Sequence, residues 1–440
     1  MESVRTIPDV EYAARRARLF EHLGAGAIAL LPAAPERTRN SDVTYPYRQD
    51  SDFRYLTGFP EPEAVAVFAP GREHPYTLFC RPRDPALETW AGRRAGPQGA
   101  VDRHGADQAF AIDEIDERLP ALLERCERVH YPVGLDAEFD RRVAGWVAAL
   151  RGRLRSGVNV PRTFVDLAPL LHAMRRVKSP AECALMREAA RISAQAHVRA
   201  MRACHPGLHE YALEAELLHA FGREGATWAY PPIVGGGANA CILHYVENRA
   251  PLVDGELLLV DAGCELDHYA ADITRTFPVG GRFSPAQRAV YEVVLAAQAA
   301  ACAEIRPGAT WNAFHDAAVR ALTAGLVELG LLSGEVDALI EQEAYRRFYM
   351  HRTGHWLGMD VHDPCEYRAG DDWCTLEPGM VLTVEPGLYI TPSPEVPEPF
   401  WDIGVRIEDD VLVTADGHEV LTAAAPKTVA EIEALMAVRA

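Results

Sequence analysis

Residues 256–279 read ELLLVDAGCELDHYAADITRTFPV. One apolar run, Glu256–Ala262, closes on Asp261, and a second, Tyr269–Val279, carries Asp272 inside it. Both are short, rich in Leu, Val, Ile, Thr and aromatic residues, and bounded by Gly and Asp, so both are expected to be strands. Two later runs share the habit. Met380–Glu385 (MVLTVE) ends on Glu385 just before Pro386-Gly387. Gly404–Glu408 (GVRIE) alternates, which puts Arg406 and Glu408 on one face and Val405 and Ile407 on the other. Asp409-Asp410 then reads as a turn and Val411–Thr414 as a return strand.

Upstream of these runs lies Ser179-Pro180-Ala181-Glu182. Ser at the N-cap, Pro at the first helical position and Glu at the third predict a capped helix start. The helix runs over 180–204, breaks at His205-Pro206-Gly207, and a second helix follows over 209–224. A similar unit recurs: helix 285–304, a break at Arg306-Pro307-Gly308, and helix 311–330. Helix, break, helix, then strands, twice, predicts two related halves packed about a pseudo-two-fold axis rather than a solenoid. The domain boundary is expected just before Ser179, giving domains 1–176 and 177–440.

The first domain reads as mixed α/β. Ala27–Leu31, Ala64–Phe68 and Tyr76–Cys80 are of strand length, and Ile112–Val129 and Phe139–Leu154 have helical periodicity. The fold class is therefore α/β (α+β).

The 440 residues include 44 Lys and Arg against 63 Asp and Glu, for a net charge of −19. This acidity argues against nucleic acid or an anionic membrane as partner. At 48% apolar and 24% charged the composition excludes wholesale disorder. Nine scattered cysteines without a C-x-x-C fit a reduced compartment better than a disulfide scaffold. The N-terminal MESVRTIPDVEYAARRARLF has no apolar core of a secretory signal, and Val293–Ala303 is too short to span a bilayer. A cytoplasmic protein is expected.

Several motifs fail. Gly24-Ala25-Gly26-Ala27-Ile28-Ala29 matches a loose dinucleotide fingerprint, but no strand precedes it and no helix clearly follows. Neither H-E-x-x-H nor G-x-S-x-G occurs. What remains is a set of acids and histidines at strand ends. Singly, Asp261 is an ordinary turn residue, Glu408 an ordinary exposed acid, and His351 and His355 ordinary loop histidines. Together, Asp261, Asp272, Glu385 and Glu408 crowd like charges into runs that should be buried, at a cost of many kcal/mol unless cations neutralise them. Four carboxylates and an imidazole suit two hard divalent ions better than a thiolate zinc site. HRTGHWLGMDVHD adds His351, His355 and His362 within thirteen residues.

VDAG, ADITRTF, the H-x-x-x-H-W-L-G-x-D-V-H-D stretch, TVEPGLY and GVRIEDD together resemble the pita-bread metallopeptidases, which include methionine aminopeptidase, prolidase and aminopeptidase P. RNSDVTYPYRQDSDFRYLTGFPEPEA resembles the amino-terminal domain of the aminopeptidase P family, so the likeness covers almost the whole chain. It implies an N-terminal mixed α/β domain followed by a pita-bread domain of duplicated halves. It implies five metal ligands: Asp261, Asp272, His355, Glu385 and Glu408, with Asp272 and Glu408 bridging two ions. The metal would be Mn²⁺ first, with Co²⁺ or Zn²⁺ as alternatives.

His244, His351 and His362 match the family's substrate-binding histidines, and Arg406 with Tyr389 a pair that hydrogen-bonds near the ligands. Tyr230, His351, Val361, His362 and Arg406 match the slot for a proline ring, and Tyr389 is placed on the substrate side. Asp42 and Trp90 match positions that close the cleft, Trp90 from a neighbouring subunit of a dimer or tetramer. The sequence departs from the family at Arg352, where H-G-x-x-H is usual, and at Pro364-Cys365.

The implied reaction is release of the first residue from peptides with proline second. A hydroxide held between the two ions would attack the first peptide bond. Glu385 would carry the proton, and His362 with His244 would steady the oxyanion. The alternatives are a prolidase restricted to X-Pro dipeptides and a non-catalytic pita-bread module that binds peptides or proteins.

Overall fold

Six strands in the first part of the chain build one sheet, in the order Gln108–Ala111, Tyr76–Cys80, Val65–Phe68, Ala27–Pro32, Arg128–Tyr131, Thr163–Asp166. The computed structural model describes residues 5–438; residues 1–4, part of the stretch read for a signal, lie outside them. The chain divides into two compact units, Ile7–His172 and one that joins residues 5–6 to the chain from Ala173 onward. No helix among the described residues is long and apolar enough to cross a membrane.

In the first unit Ile28, Leu30, Val67 and Phe79 pack against Leu119, Val143, Trp146 and Leu150. The helix expected over Ile112–Val129 is shorter: a 3-10 turn at Ile112–Glu114, then Ile115–Leu123. Val129 is instead a strand residue, hydrogen-bonded between Ile28 and Phe164. Sheet pairing on both sides overrides the helical periodicity there. The glycines at 24 and 26 follow a helix and precede a strand, the reverse of a dinucleotide fold.

The second unit opens with helix Pro180–Ala203, whose Ser179 and Glu182 make the reciprocal capping bonds the sequence predicted. Helix Glu210–Arg223 packs on it. The second half begins alike: Ser284 and Gln287 cap Pro285–Ala303, which packs on Ala313–Glu328.

Each half then runs through the same strand sequence. In the first, Leu257–Asp261 pairs antiparallel with Thr274–Pro278. Between them a hairpin, Cys264–Leu266 with Tyr269–Ala270, belongs to a different sheet. In the second half, Val381–Val384 pairs with Asp409–Val413, and the intervening hairpin, Gly387–Ile390 with Ile403–Arg406, again lies in another sheet. The chain thus leaves one sheet and returns to it twice, and a carboxylate sits at each of the four crossings: Asp261, Asp272, Glu385 and Glu408.

Two strand expectations are corrected by this arrangement. Tyr269–Val279 is not one strand: 271–273 carry the chain from one sheet to the other, with Asp272 in the gap. Gly263 permits the crossing, because a Cβ there would meet the Ala271 carbonyl oxygen at 1.6 Å. Asp409-Asp410 is not a turn but the buried start of a strand; the break falls at Ile407-Glu408.

Candidate metal centre

The four crossings converge. Asp272, His355 and Glu408 each bring a ligand-type atom within 4.8 Å of the others. Asp261, Asp272, His355, Glu385 and Glu408 all line one cavity of about 1150 Å³. Asp261, Asp272 and Glu408 are buried, and His355 and Glu385 half-buried.

His355 comes from the loop before Val381–Val384. Its amide donates to Thr383 Oγ1 at 3.0 Å. Gly354 lies so close to that strand that a Cβ would meet the Thr383 carbonyl oxygen at 2.0 Å. The His355 Nδ1 lies 3.0 Å from the Trp356 carbonyl oxygen, which only accepts, so Nδ1 carries the proton. Nε2 then faces Asp272 Oδ2 at 3.3 Å and Glu385 Oε1 at 3.6 Å.

A bare nitrogen lone pair facing two carboxylates is unfavourable. Either the ring holds a second proton or a cation lies among these atoms. Without a metal the proton wins. Burial would lower His355, but the hydrogen bond to Asp272 and the charges of Glu385 and Asp272 raise it to about 9.

The carboxylates show the same stress. Burial, then the neighbouring acids, pushes Glu408 well above the usual range and Glu385 up to about 7, against the pull of Arg406 and, at Glu385, His355. Asp261 is raised by burial and Asp272 although Arg406 pulls it down. Burial would raise Asp272, but the hydrogen bond and charge of His355, with the Tyr230 hydroxyl and His362, together lower it. The donor set of oxygens plus one oriented imidazole fits hard divalent ions.

A hydrogen-bonded scaffold aims these groups. Arg406 Nη2 donates to Asp261 Oδ2 at 2.6 Å, and its Nε to Thr274 Oγ1 at 3.1 Å. Thr274 Oγ1 donates in turn to Glu408 Oε2 at 2.6 Å. The Tyr230 hydroxyl bonds both Asp261, at 2.6 Å, and Asp272.

Arg406 Nη1 also donates to the Tyr389 hydroxyl at 3.0 Å, which lies 2.9 Å from His351 Nε2. His351 Nδ1 lies 2.8 Å from the Arg352 carbonyl oxygen and must donate to it, so Nε2 accepts from Tyr389. Burial, then the Arg406 charge, lowers His351 to about 4 and keeps the ring neutral. Both of its nitrogens are engaged.

The substrate-side expectations divide. Tyr230, His244, His351, Val361, His362 and Arg406 line the cavity. His244 and His362 are exposed, and the His362 ring stands edge-on to His355 with centroids 4.3 Å apart. Tyr389 does not line the cavity: it is buried behind Arg406 and His351, because its hydroxyl serves that chain. In the first unit Asp42 is exposed between strands Thr38–Asn40 and Val43–Thr44, and Trp90, on helix Pro85–Ala91, is 90% exposed.

Sequence reading missed the supports beneath the centre. Arg275, fully buried, donates to the Glu408 carbonyl oxygen at 2.6 Å and to Asp409 Oδ1 at 2.7 Å. Asp409 also accepts from Gln298, Thr422 and Lys427. Burial would raise it, but Arg275 and Lys427 hold it at about 2. Asp410 accepts the Asp272 amide at 3.1 Å. The signal was the charged trio Glu408-Asp409-Asp410 closing an apolar strand, which the turn reading absorbed.

A family model described as metallopeptidase family M24 matches residues 184–415, and one described as the aminopeptidase P N-terminal domain matches 12–131. A Xaa-Pro aminopeptidase of Escherichia coli is 49% identical over 429 residues, spanning 97% of each chain. A solved Pseudomonas aeruginosa aminopeptidase superposes with a TM-score of 0.98 at 58% identity, covering 98% of this chain and 99% of that one. A proline aminopeptidase P from Yersinia pestis gives 0.96 at 50% identity, covering 98% of this chain and 100% of that one. The buried acids at the four strand crossings therefore lie in a chain that belongs to metallopeptidase family M24, with the N-terminal domain of aminopeptidase P ahead of its catalytic fold.

Proposed function

We propose that the chain is a Xaa-Pro aminopeptidase, releasing the first residue of peptides whose second residue is proline. One observation carries the reading: four carboxylates and the oriented Nε2 of His355 line a single cavity, in a chain 49% identical to a relative of that name. Asp261, Asp272, His355, Glu385 and Glu408 would hold two divalent ions, Mn²⁺ ahead of Co²⁺ or Zn²⁺. Such ions would supply an acidified water as the nucleophile near neutral pH.

The chain's own groups do the rest. Glu385, whose carboxyl holds a proton up to about pH 7 in the bare centre, is placed to accept a proton and pass it to the leaving nitrogen. His362 and His244, exposed in the cavity, would face the carbonyl oxygen of a bound peptide. Arg406 fixes Asp261, beside which the substrate amine would sit. An X-Pro bond has no N–H and a fixed φ, so a site that asks for no donor there accepts it. Val361 and the Tyr230 ring offer apolar surface for the pyrrolidine.

A cytoplasmic dimer or tetramer completes the proposal, Trp90 being the exposed ring that an interface would cover. Mass spectrometry of X-Pro-peptide digests, with chelator and with added Mn²⁺, tests it. Loss of the first residue only with metal is expected, and D272N should abolish it. Cleavage of X-Pro dipeptides alone would make the enzyme a prolidase. Full turnover by stripped protein would overturn the scheme.

A further inference from the structure

The cavity has two ends of opposite sign. Its floor is the acidic cluster, while its exposed rim carries Arg352 and Arg368. The hairpin of Arg368–Ala369 with Asp372–Trp373 sets Arg368 directly across from Trp373. Gly370, at φ +66°, makes the turn. The Arg368 guanidinium lies 4.0 Å from the Trp373 ring centroid and that of Arg352 lies 5.2 Å from it. Trp311 and Tyr367, with centroids 4.9 Å apart, continue the aromatic wall.

Both guanidiniums are held but not neutralised. Arg352 donates to Asn312 Oδ1, whose amide nitrogen is bound to the Asp316 carboxylate at 2.7 and 2.8 Å. Arg368 donates to the Asp371 carbonyl oxygen at 3.1 Å. Among the described residues neither is ion-paired with a carboxylate. Asp360, the one acid that lines the cavity outside the central cluster among the described residues, is taken by Arg175 at 2.6 Å. Each arginine has five N–H donors in a fork that matches a carboxylate, so most of that capacity faces solvent at the rim.

We infer that Arg352 and Arg368 form a carboxylate-binding rim that reads the leaving side of the peptide, a C-terminal carboxylate or an acidic side chain a few residues beyond the proline. This rests on the peptidase reading above. A peptide enters amine-first toward the acidic floor, and its anionic far end then meets the cationic rim. Reversed entry would set ammonium against guanidinium and carboxylate against carboxylate. Stacking on Trp373 stiffens the guanidiniums and lowers the ordering cost of the contact.

Four peptides test the rim with the Mn²⁺-loaded full chain: Ala-Pro-Gly-Gly as free acid and as amide, and Ala-Pro-Gly-Glu-amide against Ala-Pro-Gly-Gln-amide. The anionic member of a pair should show a KM roughly fivefold lower, as expected for charge-assisted contacts at an exposed site. The ratio should fall toward one in R352Q/R368Q and at high salt, and survive in R352K/R368K. An acid-over-amide preference assigns the C-terminus as the ligand, and a Glu-over-Gln preference assigns the side chain. Equal KM values within both pairs, or a ratio that survives in R352Q/R368Q, would overturn the rim. Failure to cleave any of the four would instead remove the peptidase reading.

Discussion

Replacing Glu385 by Gln should move the stability of the second unit in opposite directions with and without metal. In the bare centre the folded-state pKa of Glu385 stands at about 7 against an ordinary value of 4.5. The protonated form is therefore favoured by folding. Stability from this group is present in full below about pH 4.5 and is lost as the pH rises toward 7. Above that, ionised Glu385 costs the fold roughly 3 kcal/mol, from 1.36 kcal/mol for each pKa unit. Gln keeps the shape, can still accept from Thr383 Oγ1, 3.3 Å away in the native chain, and carries no charge.

At pH 8, after exhaustive chelation, E385Q should thus melt above the native chain, by about 5 °C or more at roughly 2–4 °C per kcal/mol. With saturating Mn²⁺ the order should invert. The native chain then gains from binding, by about 2.7 kcal/mol at a hundredfold excess over Kd, while the variant has lost a ligand. Differential scanning calorimetry of the two proteins in both buffers measures this. A stripped E385Q no more stable than the stripped native chain would refute the premise that repulsion among these acids is what a metal relieves.

Three further outcomes follow from the geometry. Asp363 lies buried between Lys178, at 3.1 Å, and Arg175. Burial would raise it, but those charges hold its pKa at about 2. Its contribution is present above about pH 4 and lost as pH falls through 2, so D363N should cost roughly 3 kcal/mol in urea melts at pH 7 and much less near pH 2. Gly263→Ala should destabilise by several kcal/mol and release metal, read by melting and metal analysis, because its Cβ would strike the Ala271 carbonyl oxygen. Tyr389→Phe should lower kcat/KM on X-Pro peptides about tenfold by freeing His351; a change under twofold would contradict the role given to that hydroxyl.

Much of this was legible in the sequence, for identifiable reasons. Ser179-Pro180-Ala181-Glu182 specifies a helix start through local bonds alone, and the structure forms them. The candidate ligands were visible because acids at the ends of apolar strands conflict with burial, and such conflicts concentrate at sites. What failed was non-local. Nothing within Tyr269–Val279 says that its two halves join different sheets; the reason is the approach of Gly263 to Ala271, eight residues apart. Asp409 reads as a turn because its partners Arg275, Gln298 and Lys427 lie up to 134 residues away. Val129 took its conformation from two neighbouring strands rather than from its own periodicity. Tyr389 matches a substrate-side position of the family, yet it reaches the cavity only through Arg406 and His351.

The twofold repetition of strand, acid, hairpin, acid, strand has a consequence for how the centre comes into being. Each half brings two of the four acids, so neither can assemble a complete cage alone. Ion capture should report the docking of the halves rather than the formation of either. Amides of the Leu257–Asp261 and Val381–Val384 ladders should accordingly exchange with deuterium as one cooperative block once the ions are bound, and as two separate blocks when they are gone.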